Sequence, residues 1–286
     1  MAAAGPVRAG ALEPKERMGS EPKQAVIDGA TLSWREVGEG ADVLVLIHGF
    51  PFNSAIWRPQ LDAPPAGWRV IAPDLRGFGG SGPVSERLTM DGFAKDVAAL
   101  IRHLGVRSAV IGGLSMGGYV AFGMIRCAPK LVRAMILSDT RAAADSAEGR
   151  QGRLKNAKHV QANGTAALID AMVPRLLHAD TREKLPHVEQ ELRAVMNASP
   201  ARSVVAALLG MAERPDSSPD LRSISVPTQV IVGENDEITP PGDARLLARA
   251  IPGARIEVIP KAAHLPNLEQ PAAFNRILQS FLADVR

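Results

Sequence analysis

The sequence has few cysteines, no long apolar runs and no clusters of basic residues. It therefore lacks the features that cross-link a chain or bind it to a membrane or a nucleic acid. Its one cysteine, Cys127, excludes an internal disulfide bond. No apolar run approaches the roughly 18 residues of a membrane span, and the first twenty residues lack the apolar core of a signal peptide. The 33 basic and 30 acidic side chains nearly balance, and basic residues are not clustered. We therefore expect a cytoplasmic protein that binds neither nucleic acid nor membrane.

The composition is otherwise that of an average globular protein. Of the 286 residues, 46% are hydrophobic and 22% are charged. A chain of this length can bury a large core without a disulfide bond or a structural metal ion. Residues 1–22 are the exception, because they are rich in alanine, glycine, proline and charge and contain little apolar mass. They are predicted to be a disordered tail or a leader.

Most of the chain alternates between strand and helix patterns. Continuous apolar runs such as Val43 to Ile47 indicate strands buried on both faces, as in a parallel sheet covered by helices. The predicted strands are 24–28, 31–37, 43–47, 69–72, 108–111, 134–137, 228–232 and 255–259, of which the first two form an antiparallel hairpin. The predicted helices between and after them are 90–104, 116–126, 243–250 and 271–283. The pattern predicts an α/β fold with a mostly parallel sheet of eight strands and helices on both faces.

The alternation stops between residues 141 and 220. This segment contains no convincing strand, and four amphipathic helices are predicted at 146–160, 165–172, 181–196 and 200–212, separated by glycine and prolines. We interpret 141–220 as a helical cap inserted into an α/β core formed by 23–140 and 221–286.

A candidate nucleophile lies where a predicted strand meets a predicted helix. Ser115 is the central residue of Gly113-Leu114-Ser115-Met116-Gly117, a G-x-S-x-G sequence. A serine raised above the sheet on so sharp a turn needs Gly113 and Gly117, because side chains there would strike the neighbouring strand and helix. The helix start beside Ser115 also favours a developing negative charge. An ordinary strand-to-helix turn would explain the pentapeptide alone, but its position favours a nucleophile.

A serine hydroxyl needs a base and an acid that orients the base. Of the six histidines, only His48 and His264 follow strands, at the sheet edge where α/β proteins place their sites. The order serine, acid, histidine favours Asp236 as the acid and His264 as the base. Asp139, Glu234 and Glu237 are alternative acids, and we interpret His48 as a brace of its loop.

Acyl transfer also requires hydrogen-bond donors for the oxyanion. The loop His48-Gly49-Phe50-Pro51 follows a strand and can offer the backbone N–H of Phe50. The residue after the nucleophile, Met116, can offer the second backbone N–H.

Five segments taken in order resemble the α/β-hydrolase superfamily over almost the whole chain from residue 24. They are His48-Gly-Phe-Pro51, Asp74-Leu-Arg-Gly-Phe-Gly-Gly-Ser81, Gly113 to Gly118, Gly233-Glu-Asn-Asp236, and His264. Within the superfamily the pattern is similar to cap-bearing carboxylesterases, to enol-lactone and acyl-homoserine-lactone lactonases, and to cofactor-free haloperoxidases. The resemblance implies Ser115, Asp236 and His264 as a catalytic triad and Phe50 and Met116 as oxyanion donors. Dehalogenases and epoxide hydrolases of this fold carry aspartate where this chain has Ser115.

The expected activity is hydrolysis of a carboxylic ester through an acyl-enzyme. A lactonase using the same residues is the alternative, and a hydroxynitrile-type lyase or a ligand-binding protein are alternatives of another class. We expect a small ester or lactone as substrate, bound under Leu114, Met172, Leu176 and Met211, although helix packing also explains these side chains. Arg141 either meets a substrate carboxylate or forms a surface salt bridge.

No cofactor or metal is expected. The glycines of Gly77 to Gly82 match G-x-G-x-x-G, but proline follows instead of a helix, so a dinucleotide site is not predicted. Metal-ligand spacings such as H-x-x-x-H or C-x-x-C are lacking. The chain is expected to be a monomer or a homodimer.

Overall fold

The computed structural model describes residues 21–84 and 88–285. Almost all of the predicted tail at 1–22 lies outside the described residues. Eight strands form one sheet in the order β1-β2-β4-β3-β5-β6-β7-β8, with β1 and β2 antiparallel to their neighbours and the rest parallel. The strands are β1 Lys23–Ile27, β2 Ala30–Val37, β3 Asp42–Ile47, β4 Trp68–Asp74, β5 Ala109–Leu114, β6 Val132–Ser138, β7 Thr228–Gly233 and β8 Arg255–Ile259. The predicted fold class and the hairpin are confirmed.

The central strand β3 shows why the sheet is buried on both faces. Val45 is paired with Ile71 on β4 and Ile111 on β5. Successive side chains of a strand point to opposite faces, so Val45 lies in one hydrophobic cluster while Leu44 and Leu46 lie in the other. Helices must cover both clusters, as the continuous apolar run predicted.

The helices cover the two faces and fill the segment between β6 and β7. They are α1 Arg58–Leu61, α2 Met90–His103, α3 Met116–Cys127, α4 Ala147–Asn163, α5 Ala166–Leu176, α6 Ala179–Lys184, α7 Pro186–Asn197, α8 Ala201–Ala212, α9 Pro241–Ala250, α10 Pro266–Glu269 and α11 Pro271–Asp284. Short 3₁₀ helices lie at Ser54–Trp57, Pro129–Leu131 and Ser218–Ser223. In the described residues, no helix combines the length and the apolar character that crossing a bilayer requires.

Two helix predictions between β6 and β7 were wrong in detail. The helix predicted at 181–196 is two helices, because Pro186 cannot continue α6 and instead occupies the first position of α7. The helix predicted to end at 172 runs to Leu176 and contains Pro174. The carbonyl that Pro174 leaves without a partner belongs to Asp170, an exposed residue where water can bond it.

The segment between β6 and β7 contacts two loops at the carboxyl ends of the strands. The Ser199 hydroxyl, between α7 and α8, donates to the carbonyl of Pro51, after β3, at 2.7 Å. The backbone N–H of His264, after β8, donates to the carbonyl of Leu176, the last residue of α5, at 3.2 Å. These contacts place the end of α5 and the start of α8 beside the sheet edge that carries the candidate site. The division into a core and a cap at 141 and 220 stays a prediction.

Candidate active site

Ser115 lies on a strained turn between β5 and α3. Its φ of 53° and ψ of −112° are a conformation that L-residues adopt rarely. A Cβ on Gly113 would strike the backbone of Gly117, and one on Gly117 would strike the carbonyl of Ile47. The turn is fixed by a 2.9 Å hydrogen bond from the N–H of Ser115 to the carbonyl of Ser138. Only glycine fits at positions 113 and 117, as the motif predicted.

The turn leaves the hydroxyl of Ser115 available. Ser115 immediately precedes Met116, the first residue of α3, and is only half-buried. Within residues 21–84 and 88–285, the Ser115 hydroxyl makes no hydrogen bond. The helix N-terminus beside it carries unpaired N–H groups and a partial positive charge. An anion formed at this position would be stabilised by the helix.

Asp236 and His264 are joined at the ends of β7 and β8. The Nδ1 atom of His264 lies 2.8 Å from Oδ2 of Asp236, and both side chains are buried. The Thr239 hydroxyl donates to the same oxygen at 2.7 Å. The backbone N–H groups of Ile238 and Thr239 donate to Oδ1 at 2.8 and 3.1 Å. The carboxylate is held rigidly, and it fixes the orientation of the imidazole ring.

These contacts keep Asp236 ionised. Burial favours its neutral form, but the charge of protonated His264 and the hydrogen bonds from His264 and Thr239 outweigh burial and lower the pKa of the Asp236 carboxyl.

The loop carrying His264 is fastened by a residue that sequence analysis did not single out. The buried carboxylate of Glu269 accepts hydrogen bonds from Ala263 N–H at 2.7 Å, from His178 N–H at 2.6 Å and from the Thr181 hydroxyl at 2.8 Å. It therefore connects the His264 loop to the start of α6. The available signal was an acidic residue five positions after His264 in an otherwise uncharged segment.

Asp139, the alternative acid, also lies in this cluster but has different partners. It follows β6, is 1% exposed, and has a φ of 46°. Its carboxyl accepts from Gly233 N–H at 2.9 Å and from the Ser138 hydroxyl at 2.6 Å. Burial and the nearby charge of Asp236 raise the pKa of Asp139 well above its usual value. His264 is hydrogen-bonded to Asp236, the favoured acid. The carboxyl group of Asp139 lies within 4.8 Å of both of them.

His48 bridges two loops. The Leu75 N–H donates to its Nε2 at 3.0 Å, so Nδ1 carries the proton and donates to the carbonyl of Gly49 at 2.8 Å. Complete burial lowers the pKa of His48, so the ring is neutral. His48 therefore braces the loops after β3 and β4, in agreement with its interpretation from the sequence as a brace.

The brace places the loop of Phe50 beside Ser115. An ideal Cβ on Gly49 would lie 3.1 Å from the carbonyl oxygen of Leu114 and 3.2 Å from the Cβ of Ser115, so any side chain there would crowd the nucleophile turn. Phe50 follows in the loop, and Met116 begins α3, where its N–H has no carbonyl partner within the helix. The glycine before Phe50 and the start of α3 therefore both adjoin Ser115, and the role of Phe50 and Met116 as oxyanion donors stays a prediction.

The candidate pocket residues divide into two groups. Leu114, Leu176 and Met211 are at most 2% exposed and pack within the hydrophobic clusters, whereas Met172 is half-buried and contacts both clusters. Arg141 pairs with Asp243 at 3.2 Å and donates to the carbonyl of Ile238. The salt-bridge interpretation of Arg141 is therefore the one that the structure supports.

Three side chains have the ligand chemistry of a metal site. Ligand atoms of Asp139, Asp236 and His264 all lie within 4.8 Å of one another. Hydrogen bonds already use the facing atoms of Asp236 and His264.

Comparisons with known proteins identify the family to which the fold belongs. Residues 42–271 match the family model of the alpha/beta hydrolase fold. A structure of a thermophilic esterase from Thermogutta terrifontis, with malate bound, is 38% identical with a TM-score of 0.89, covering 93% of this chain and 99% of that one. An enol-lactonase from Burkholderia xenovorans LB400 is 30% identical with a TM-score of 0.85, covering 91% and 100%.

A third relative carries a different activity in its name. The dihydrolipoyllysine-residue acetyltransferase component of an acetoin cleaving system from Pseudomonas putida is 31% identical over 93% of this chain and 70% of its own length. Because the family model spans most of the sequence, the chain belongs to the alpha/beta hydrolase fold family.

Proposed function

We propose that the protein is a serine hydrolase that cleaves carboxylic esters through an acyl-enzyme. The observation that carries this proposal is the buried hydrogen bond between His264 and Asp236, at the sheet edge where Ser115 stands on its glycine-flanked turn. The esterase and enol-lactonase among its relatives support hydrolysis of an ester bond.

In the proposed first step, Oγ of Ser115 attacks the ester carbonyl while Nε2 of His264 takes the hydroxyl proton. Asp236 holds the Nδ1–H of His264 and stabilises the imidazolium that forms. The imidazolium then gives its proton to the leaving alcohol, and the acyl group remains on Ser115. Water, deprotonated by His264, attacks the acyl-enzyme and releases the acid.

The negative charge of the tetrahedral intermediate falls on the former carbonyl oxygen. The backbone N–H groups of Phe50 and Met116 are the proposed donors to it, and removal of one such donor typically costs about 10²–10³-fold in rate. The N-terminus of α3 adds its partial positive charge. His48 contributes by holding the Phe50 loop in place rather than by transferring protons.

A lactone is the second candidate substrate, favoured by the 30% identity to an enol-lactonase over the full length of that chain. The same steps open a lactone ring, except that the leaving alcohol stays attached to the acyl group.

The test is hydrolysis of a graded panel of p-nitrophenyl esters and lactones by the wild-type protein and by Ser115→Ala. The wild type is expected to turn over at least one class, and Ser115→Ala to retain less than about a thousandth of that rate, since binding and oxyanion contacts alone survive. Ser115→Ala activity near a tenth of wild type would remove Ser115 as nucleophile. Tight ligand binding without turnover by the wild type would favour a binding protein.

A further inference from the structure

Two buried carboxyl groups stand side by side at the base of the candidate site. Asp139 follows β6 and Asp236 follows β7, and these parallel strands are neighbours whose register pairs Ser138 with Ile231. Asp139 is 1% exposed and Asp236 is 3% exposed. Two buried carboxyl groups whose oxygens lie within 4.8 Å of each other do not both ionise, so one of them keeps a proton.

The hydrogen bonds decide which carboxyl carries the charge. Four donors converge on the two oxygens of Asp236, and one of them, His264, becomes cationic during the proposed reaction. Asp139 has only two neutral donors, the N–H of Gly233 and the hydroxyl of Ser138. The charge therefore belongs to Asp236, and Asp139 keeps the proton.

Asp139 is nevertheless within reach of the base. Its carboxyl oxygen, an oxygen of Asp236 and a ring nitrogen of His264 lie within 4.8 Å of one another. The basic residue nearest to Asp139 in the sequence is Arg141. Its charge is offset by the salt bridge that it forms with Asp243. Asp236 and His264 are the ionisable groups that face Asp139 within the described residues.

We propose that Asp139 is a reserve acid, which stays protonated while Asp236 is ionised and stabilises the His264 imidazolium when Asp236 carries no charge. In that state Asp139 releases its proton to solvent, and its carboxylate supports the imidazolium formed when His264 accepts the Ser115 proton. The inference rests on the proposed function for its kinetic consequence. It makes Asp139 a positioning residue, since it acts on the reaction through His264.

The test is a double-mutant cycle in the full chain, with kcat/KM for a p-nitrophenyl ester measured against pH. Asp139→Asn keeps an acceptor for Gly233 N–H. Its loss of kcat/KM is expected to be much smaller in the wild-type background than in Asp236→Asn, since in the wild type an amide replaces a neutral acid. Asp236→Asn is expected to lose about 10²–10³-fold, less than the roughly 10⁴-fold loss typical of a triad acid. The double variant is expected to fall at least about tenfold further.

The pH dependence separates a reserve acid from a structural role. In Asp236→Asn, kcat/KM should show a rise with pH from the ionisation of Asp139 in addition to the rise that comes from deprotonation of His264. The double variant should keep only the rise that comes from His264. Equal rates in Asp236→Asn and the double variant would overturn the proposal. So would an Asp139→Asn loss of the same size in both backgrounds, since that is the signature of a structural role. Circular dichroism and thermal unfolding check each variant, with Asp139→Ser as a second substitution if the asparagine variant does not fold.

A second measurement does not depend on turnover. The imidazole resonance of His264, identified by its loss in His264→Gln, is titrated by NMR in Asp236→Asn and in the double variant. A charged Asp139 favours the imidazolium, so the pKa of His264 should be higher in Asp236→Asn than in the double variant. Identical titrations would overturn the reserve acid. An absence of esterase activity with different titrations would count against the proposed function alone.

Discussion

The imidazole of His264 and the carboxylate of Asp236 meet at 2.8 Å although the residues are 28 positions apart in the sequence. Neighbouring parallel strands bring them together, because β7 and β8 end at the same edge of the sheet and each residue lies on the loop that follows. Thr239 holds the carboxylate from one side and Leu176 accepts a hydrogen bond from the backbone of His264.

Gly117→Ala should impair both stability and activity. The added methyl group would meet the backbone carbonyls of Ile47 and His48, which cannot move away as a flexible side chain can. We expect a loss of about 1–3 kcal/mol in the free energy of unfolding, as overpacking typically costs, together with a large fall in kcat. Gly152→Ala in α4 is the matched control, because an added Cβ there meets nothing within 4 Å. The free energy of unfolding of Gly152→Ala should be about 1 kcal/mol greater than that of the wild type, because alanine favours a helix over glycine. Urea unfolding of both variants measures the difference, and equal stabilities would contradict the steric account.

His48→Ala should destabilise the protein without removing an ionisation from the reaction. The substitution leaves the Leu75 N–H and the Gly49 carbonyl without partners, which typically costs about 1–3 kcal/mol per buried group. The activity should fall because the Phe50 loop is no longer braced. The pH dependence of the remaining activity should keep its shape, since His48 is neutral in the native protein. A profile that lost one of its limbs would show that His48 transfers protons after all.

Glu269→Ala should lower the free energy of unfolding by about 2–4 kcal/mol, because three donors lose a buried acceptor. The variant should also lower kcat by a larger factor than it changes KM, since Glu269 holds the loop of His264 in place rather than binding the substrate. The exposed residue Glu183 in α6 offers the control Glu183→Ala, expected to change the unfolding free energy by less than about 0.5 kcal/mol. Thermal unfolding and steady-state kinetics measure both effects. A Glu269→Ala variant as stable and active as the control would exclude the clamp.

Glu36 should contribute to acid sensitivity. Burial works against its charge, but hydrogen bonds from Arg69, Trp34 and Lys23 lower its pKa from 4.5 to about 2. An acid with a lowered native pKa contributes stability that is fully present above its unfolded pKa and is lost as the pH falls through the native value. The contribution of Glu36 is therefore present above about pH 4.5 and declines toward pH 2. Glu36→Gln should lose less stability than wild type over this range, measured by urea unfolding at stepped pH. Parallel pH dependences would contradict the assignment.

The strands and their loops were predictable from the sequence for a physical reason. A strand buried on both faces must be a continuous apolar run, as in β3, and a turn as sharp as that at Ser115 admits only glycine at 113 and 117. The same logic predicted that Asp236 and His264 each lie on a loop that follows a strand.

Other features left no readable pattern. The four-residue helices α1 and α10 are too short to show a helical period. The donors to Glu269 from His178 and Thr181 lie 91 and 88 positions away in the sequence, so the acidic residue near His264 was visible but these contacts were not. The predicted end of α5 is too early because a proline such as Pro174 ordinarily breaks a helix. A proline inside a helix costs less when the carbonyl that it leaves without a partner is exposed to water.

The most direct measurement of the central claim is covalent labelling by a fluorophosphonate, followed by intact mass and peptide mapping. The reagent reacts with a serine only when a base activates the hydroxyl, so the account predicts one adduct, on Ser115. Labelling should be abolished in Ser115→Ala and slowed by orders of magnitude in His264→Gln. An adduct on another residue, or labelling of Ser115 at the same rate in His264→Gln, would contradict activation of Ser115 by His264.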